Sequence, residues 1–137
     1  RSRTAPVIVD TSALVAVLEG EQHADALART IIVEDSRMSA GSYTELMCVM
    51  ARSREPAVSR RVDQFLAALG IEVLPVSVAQ ARLAGEAYRV YGRGTGHPAA
   101  LNYGDTFAYA LAIDLDEPLL FVGTDFAQTD VRVAQVL

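Results

Sequence analysis

The feature that most limits how this chain can fold is Val7-Ile8-Val9-Asp10-Thr11-Ser12. Three consecutive β-branched residues favour a strand, and Pro6 before them suits a strand start but not a helix interior. A continuous apolar run, in place of alternation, predicts a strand covered by helices on both faces. The chain then turns polar: Asp10, Thr11 and Ser12 all favour helix N-caps, and residues 13–18 can continue as a helix. That order places Asp10 at the carboxyl end of a central strand, where open α/β sheets hold their ligands. On this segment alone Asp10 reads equally well as a helix cap and as a ligand.

The rest of the chain alternates helical and strand patterns. Glu19-Gly20-Glu21-Gln22 reads as a turn, and residues 23–33 as a helix with Ala24, Leu27, Ala28 and Ile31 on one face. Residues 37–39 lie between two helical patterns and are predicted to form a second strand. In residues 42–52, Ser42-x-x-Glu45 fits a capping box, which accounts for Glu45 without any function. Cys48 and Val49 stand three and four positions later, so Glu45 is also predicted to face inward, in the first turn, towards the sheet edge. A helix over 57–69, with Val58, Val62, Phe65, Leu66 and Leu69 inward, stops at Gly70. Residues 71–74 form a strand ended by Pro75, and residues 77–90 a helix packing through Val78, Ala81, Leu83, Ala84 and Ala87.

Gly92-Arg93-Gly94-Thr95-Gly96-His97-Pro98 follows a helix and lacks the Lys-Ser/Thr of a P-loop, so it reads as a rim loop. Asn102-Tyr103-Gly104-Asp105 opens a helix through residue 115. Asp105 heads its small-residue stripe of Ala108 and Ala112, with Tyr109 beside it. The helix dipole alone favours an acid there, but the inward direction asks for more. Leu119-Leu120-Phe121-Val122 is a second apolar strand, and Gly123-Thr124-Asp125-Phe126 repeats the strand-to-carboxylate pattern of the opening segment. Residues 131–133 are a candidate short edge strand.

With 137 residues, 51% of them hydrophobic, the chain supports one ordinary core. Residues 1–6 are set aside as a disordered or extraneous N-terminal segment, and 7–137 are expected to form a single domain. No apolar run reaches the roughly 18 residues of a membrane span, and no signal peptide is evident. The single cysteine, Cys48, lies in Leu46-Met47-Cys48-Val49-Met50 and is expected to be a core residue of a cytoplasmic protein. A net charge of −5 argues against broad electrostatic binding of nucleic acid, but not against acids gathered around a metal.

Asp10, Glu45, Asp105 and Asp125 share one property: each follows a strand or opens a helix that follows one. In a parallel α/β sheet such positions converge on one edge. Clustered carboxylates repel one another, and a hard divalent cation resolves that repulsion. Mg²⁺ or Mn²⁺ fits better than Zn²⁺, because no His or Cys lies beside these acids, and His23 and His97 read as surface residues. An acid-only site of this kind suits phosphodiester hydrolysis, and no Ser-His-Asp or Cys-His nucleophile set is apparent. All 12 basic residues are Arg, none Lys. Receiver domains and haloacid-dehalogenase-type phosphatases need a Lys near the phosphoryl group, and the latter a second Asp that Asp10-Thr11-Ser12 lacks.

Residues 7–14, the helix-borne Glu45, Leu101-Asn102-Tyr103-Gly104-Asp105-Thr106-Phe107-Ala108 and residues 120–126 together resemble the PIN domain of VapC-type toxins. The resemblance runs from Val7 onward and is most specific around residues 102–108. It implies a three-layer α/β/α fold around a parallel sheet of about five strands in the order 3-2-1-4-5. It implies a Mg²⁺- or Mn²⁺-dependent endoribonuclease, with Asp10, Glu45, Asp105 and Asp125 as the acidic set and Asp10 and Asp105 as the principal ligands. Thr11, Ser12, Asn102 and Thr124 carry over as supporting residues. Thr124 departs from the Asn or Ser of many relatives, and Asp130 is a further candidate acid. The resemblance also implies a homodimer held inactive by a VapB-type antitoxin, whose positive charge would meet the acidic pocket of this −5 chain. Arg52, Arg54, Arg60, Arg61 and Arg93 could steer RNA or be ordinary surface. The alternatives are a PIN-like RNA- or protein-binding module without turnover, and a Mg²⁺-dependent phosphoesterase on another substrate. Retention of all four acids favours an enzyme, since a scaffold has no need to concentrate repulsive charge.

Overall fold

The computed structural model describes residues 5–53 and 57–137, without the side chains of Ser53, Val58 and Ser59. Arg54, the helix start expected at Glu55-Pro56, the inward Val58 side chain and most of the N-terminal segment lie outside what is described.

Strand β1 (Pro6–Val9) leads into α1 (Thr11–Leu18) and α2 (Ala24–Val33). Then come β2 (Asp35–Ser39), α3 (Ala40–Met50), α4 (Val58–Leu69), β3 (Glu72–Leu74), α5 (Val78–Tyr91), α6 (Asp105–Leu115) and β4 (Leu119–Leu120). Short 3₁₀ turns follow α3 at Ala51–Ser53 and β4 at Phe126–Gln128. The four strands are parallel, in the order β3-β2-β1-β4. Strand order reverses between β1 and β4, so the crevice at their carboxyl ends is where such a sheet binds ligands.

β1 shows why a continuous apolar run was needed. Val7 and Val9 join one core, with Leu14, Leu27, Ile31, Met38 and Leu46. Ile8 faces the other way and joins a second core, with Leu101, Ala108, Leu111 and Leu119. α1 to α4 cover the first face and α5 and α6 the second, giving the three layers expected. Each of these fully buried strand residues contributes about 1.5–3 kcal/mol by leaving water. Arg37 on β2 pairs with Glu117 just ahead of β4, tying the two halves of the sheet across β1.

Five sequence expectations are corrected. Among the described residues the sheet has four strands, not five: Val133 meets Leu119 through a single parallel bridge beside β4. The segment follows the expected order but turns away before a ladder forms. β4 is two residues long because Phe121 and Val122 already belong to the turn towards Asp125. α3 starts earlier than expected, with Ser39 as its cap through a bond from the Gly41 N–H. Ser42 is therefore buried inside the helix and Glu45 stands in its second turn, so the capping box does not form. Cys48 is exposed, because the buried stripe of α3 runs through Ser42 and Leu46. On α5 Val78 and Ala81 are exposed, and the helix packs through Gln80, Ala84 and Ala87.

Candidate active site

Asp10 caps α1. Its Oδ2 accepts from the Ser12 N–H at 3.0 Å, so the cap explanation is correct for that oxygen. It leaves the other unexplained: Oδ1 is buried with no hydrogen-bond partner, in a side chain 2% exposed. An orphaned carboxylate oxygen is costly unless it has a cation or a proton. Burial, with the charges of Asp105 and Glu45 added, pushes the Asp10 carboxyl up to about 7, against the Ser12 bond.

Asp105 opens α6 in a reciprocal pair with Asn102. The Asp105 N–H donates to Asn102 Oδ1 at 2.8 Å, and the Asn102 N–H donates to Asp105 Oδ2 at 2.9 Å. The capping-box geometry expected at Ser42-Glu45 thus occurs here instead. Burial first, then Glu45 and Asp125, raise the Asp105 carboxyl to about 6, against the Asn102 N–H and Arg93.

Asp10, Glu45 and Asp105 line one pocket of about 440 Å³ at the carboxyl edge of the sheet. Thr11, Ser12 and Asn102 line it as well. Thr11 Oγ1 donates to the Ser42 carbonyl at 3.0 Å, joining the start of α1 to α3. Ser12 Oγ accepts from the Val122 N–H at 3.0 Å, joining it to the turn after β4. These two hydroxyls hold together the elements that carry the acids.

Asp125 and Thr124 are exposed and outside the pocket lining, although Asp125 is close enough to raise Asp105. Asp130 serves a different place: its Oδ1 accepts from the Tyr109 hydroxyl at 2.6 Å, fastening the C-terminal segment to α6. Three polar residues that sequence reasoning did not assign to the pocket also line it: Glu19, Glu21 and Arg52. Ser12, Val15 and Glu19 share one face of α1, so a Ser12 turned to the site already implied Glu19.

The donors are all oxygen, the orphaned Asp10 Oδ1 faces no other partner, and two carboxyls are raised by their surroundings. This chemistry fits a hard divalent cation. Among the described residues no three His, Cys, Asp or Glu side chains are already drawn into a metal-holding cluster.

The sequence matches the PIN domain family over residues 7–132. It is 53% identical over 129 residues to Ribonuclease VapC42 of Mycobacterium tuberculosis, covering 93% of this chain and 98% of that one. Ribonuclease VapC28 of the same organism is 48% identical over 93% of this chain and 97% of its own. Among solved structures, VapBC-1 from nontypeable Haemophilus influenzae superposes with a TM-score of 0.73 at 17% identity, covering 95% of this chain and 97% of that one. Mycobacterium tuberculosis VapC20, a Sarcin-Ricin loop cleaving toxin, superposes with a TM-score of 0.72 at 13% identity, over 94% and 98%. These two establish the shared fold. The chain is a PIN-domain protein. Within that class it belongs to the VapC ribonucleases.

Proposed function

We propose that this protein is a Mg²⁺- or Mn²⁺-dependent endoribonuclease toxin of the cytoplasm, restrained by a VapB-type antitoxin. The observation that carries the reading is the buried, partnerless Asp10 Oδ1 in a pocket shared with Asp105 and Glu45, within a chain of the VapC ribonuclease family. Asp10 and Asp105 would hold the cation, with Glu45 on the pocket wall and Asp125 reaching in from the rim. When bound, the ion supplies charge neutralisation and activation of water at neutral pH.

The chain's own residues do the positioning. The Ser12 N–H fixes one oxygen of Asp10 and frees the other. The Asn102 N–H likewise fixes one oxygen of Asp105. Arg52 on the pocket lining and Arg93, whose charge reaches Asp105, are the cations suited to an RNA phosphate beside this acidic field. The same field would receive a basic residue of the antitoxin. Several of the fold neighbours are VapBC toxin–antitoxin structures, which supports such a partner.

A homodimer is supported by an apolar face beside the pocket. Tyr103 is 74% exposed and stands between two grooves. One, of about 390 Å³, includes Gly41, Cys48 and Phe107, and the other, of about 380 Å³, includes Ala84, Tyr88 and Phe107. Exposed aromatic surface of this kind marks an interface. No described helix is long and apolar enough to cross a membrane.

The test is to sequence RNA ends after expression, with Asp105→Asn as control, and to compare purified protein on RNA, single-stranded DNA and small phosphoesters. Discrete RNA ends that vanish in the control are expected. Identical ends from the control, or preferential cleavage of another phosphoester, would overturn the proposal.

A further inference from the structure

We infer that Gly104 is a positioning residue for Glu45: the missing side chain at 104 is the seat in which the Glu45 carboxylate rests. The inference builds on the metal reading above. A Cβ added at Gly104 would stand 2.5 Å from Glu45 Cδ and 3.0 Å from Oε1, with Oε2 closer still. The carboxylate therefore occupies the volume that any side chain at this position would take.

Backbone conformation does not call for glycine here. Gly104 has φ −62° and ψ −36°, ordinary right-handed helical values that alanine adopts without strain. Its need for a bare Cα comes from the neighbouring helix, not from its own turn. The seat lies directly before Asp105, and Glu45 lines both the acidic pocket and the adjoining apolar groove. Glu45 is thus a partition between the two, and its placement against Gly104 keeps its charge within reach of both Asp10 and Asp105. Alanine at 104 would leave the helix intact and turn this one carboxylate away.

The experiment measures Mn²⁺ binding by calorimetry on wild type, Gly104→Ala, Glu45→Gln and the double variant, with melting of the metal-free proteins alongside. Gly104→Ala should weaken Mn²⁺ binding roughly tenfold or more, the loss typical of a removed supporting contact. In the Glu45→Gln background it should add little, because the effect passes through that side chain. The metal-free melting temperature should not fall; if it does, Glu45→Ala in the same chain should restore it. Wild-type affinity in Gly104→Ala, an undiminished further loss in the double variant, or unrestored melting would each overturn the inference alone. Absence of Mn²⁺ binding by the wild type would overturn the metal reading, and this inference with it.

Discussion

Asp10 is an acid kept from water with only one of its oxygens satisfied. Its carboxyl titrates near 7 in the folded chain against 3.8 ordinarily, so the native state holds an extra proton between those values. Folding stability must then fall as pH rises through that window, and the loss is complete above about 7. For Asp10 the amount is on the order of a few kcal/mol. Metal-free protein should melt lower at pH 8 than at pH 5, and Asp10→Asn should reduce the difference to the share that Asp105 carries. Calorimetric scans at the two pH values decide it. With Mg²⁺ present the trend should weaken or reverse, since a cation needs these groups deprotonated. Asp10→Asn and Asp105→Asn should both abolish RNA cleavage while the metal-free fold at pH 8 is no less stable. Unfolded variants would mean the carboxylates serve only as caps. Asp10 and Asp105 were legible as candidates because each lies within the polar signature of a helix start. Asp125 was legible as an acid after a strand, but its exposure was not, since β4 ends two residues sooner than its apolar run.

At the scale of elements, the site depends on how closely α3 approaches α6. Gly41 on α3 faces the Phe107 ring on α6 so tightly that an added Cβ would lie 2.7 Å from Cδ2, with Cγ and Cδ1 nearer. An exposed helical glycine replaced by alanine gains about 1 kcal/mol, whereas overpacking costs about 1–3. Gly41→Ala is therefore expected to lower stability by about 1 kcal/mol net, read as a reduced urea midpoint. A gain would show that Phe107 swings away freely. Apolar runs separated by helical patterns marked the strands, and their order along β3-β2-β1-β4 followed from the family resemblance alone. The start of α3 did not, because Ser39 and Ser42 are both good caps, and only the parallel pairing of Ser39 with Leu74 fixes which one ends the strand. Cys48 was misplaced for a different reason: Leu46-Met47-Cys48-Val49-Met50 is apolar on every side of the helix, so periodicity could not single out Leu46 as its buried member.

For the whole molecule, the acidic pocket and the aromatic face meet at Glu45. Tyr103→Asp would place a charge at the centre of that face while leaving the buried cores untouched. The homodimer proposed above predicts that sedimentation reports a dimer for the wild type and a monomer for this variant; the same dimer in both would assign the face to another purpose. Nothing in the sequence marked this surface, since Tyr103 and Phe107 read only as residues at the opening of a helix until α5 and α6 were seen side by side. The exposed sulfur of Cys48 opens onto the same groove and is the only thiol in the chain. A maleimide dye would therefore attach at one defined point, and its fluorescence would report a second subunit or an inhibitor arriving there, with no engineered handle required.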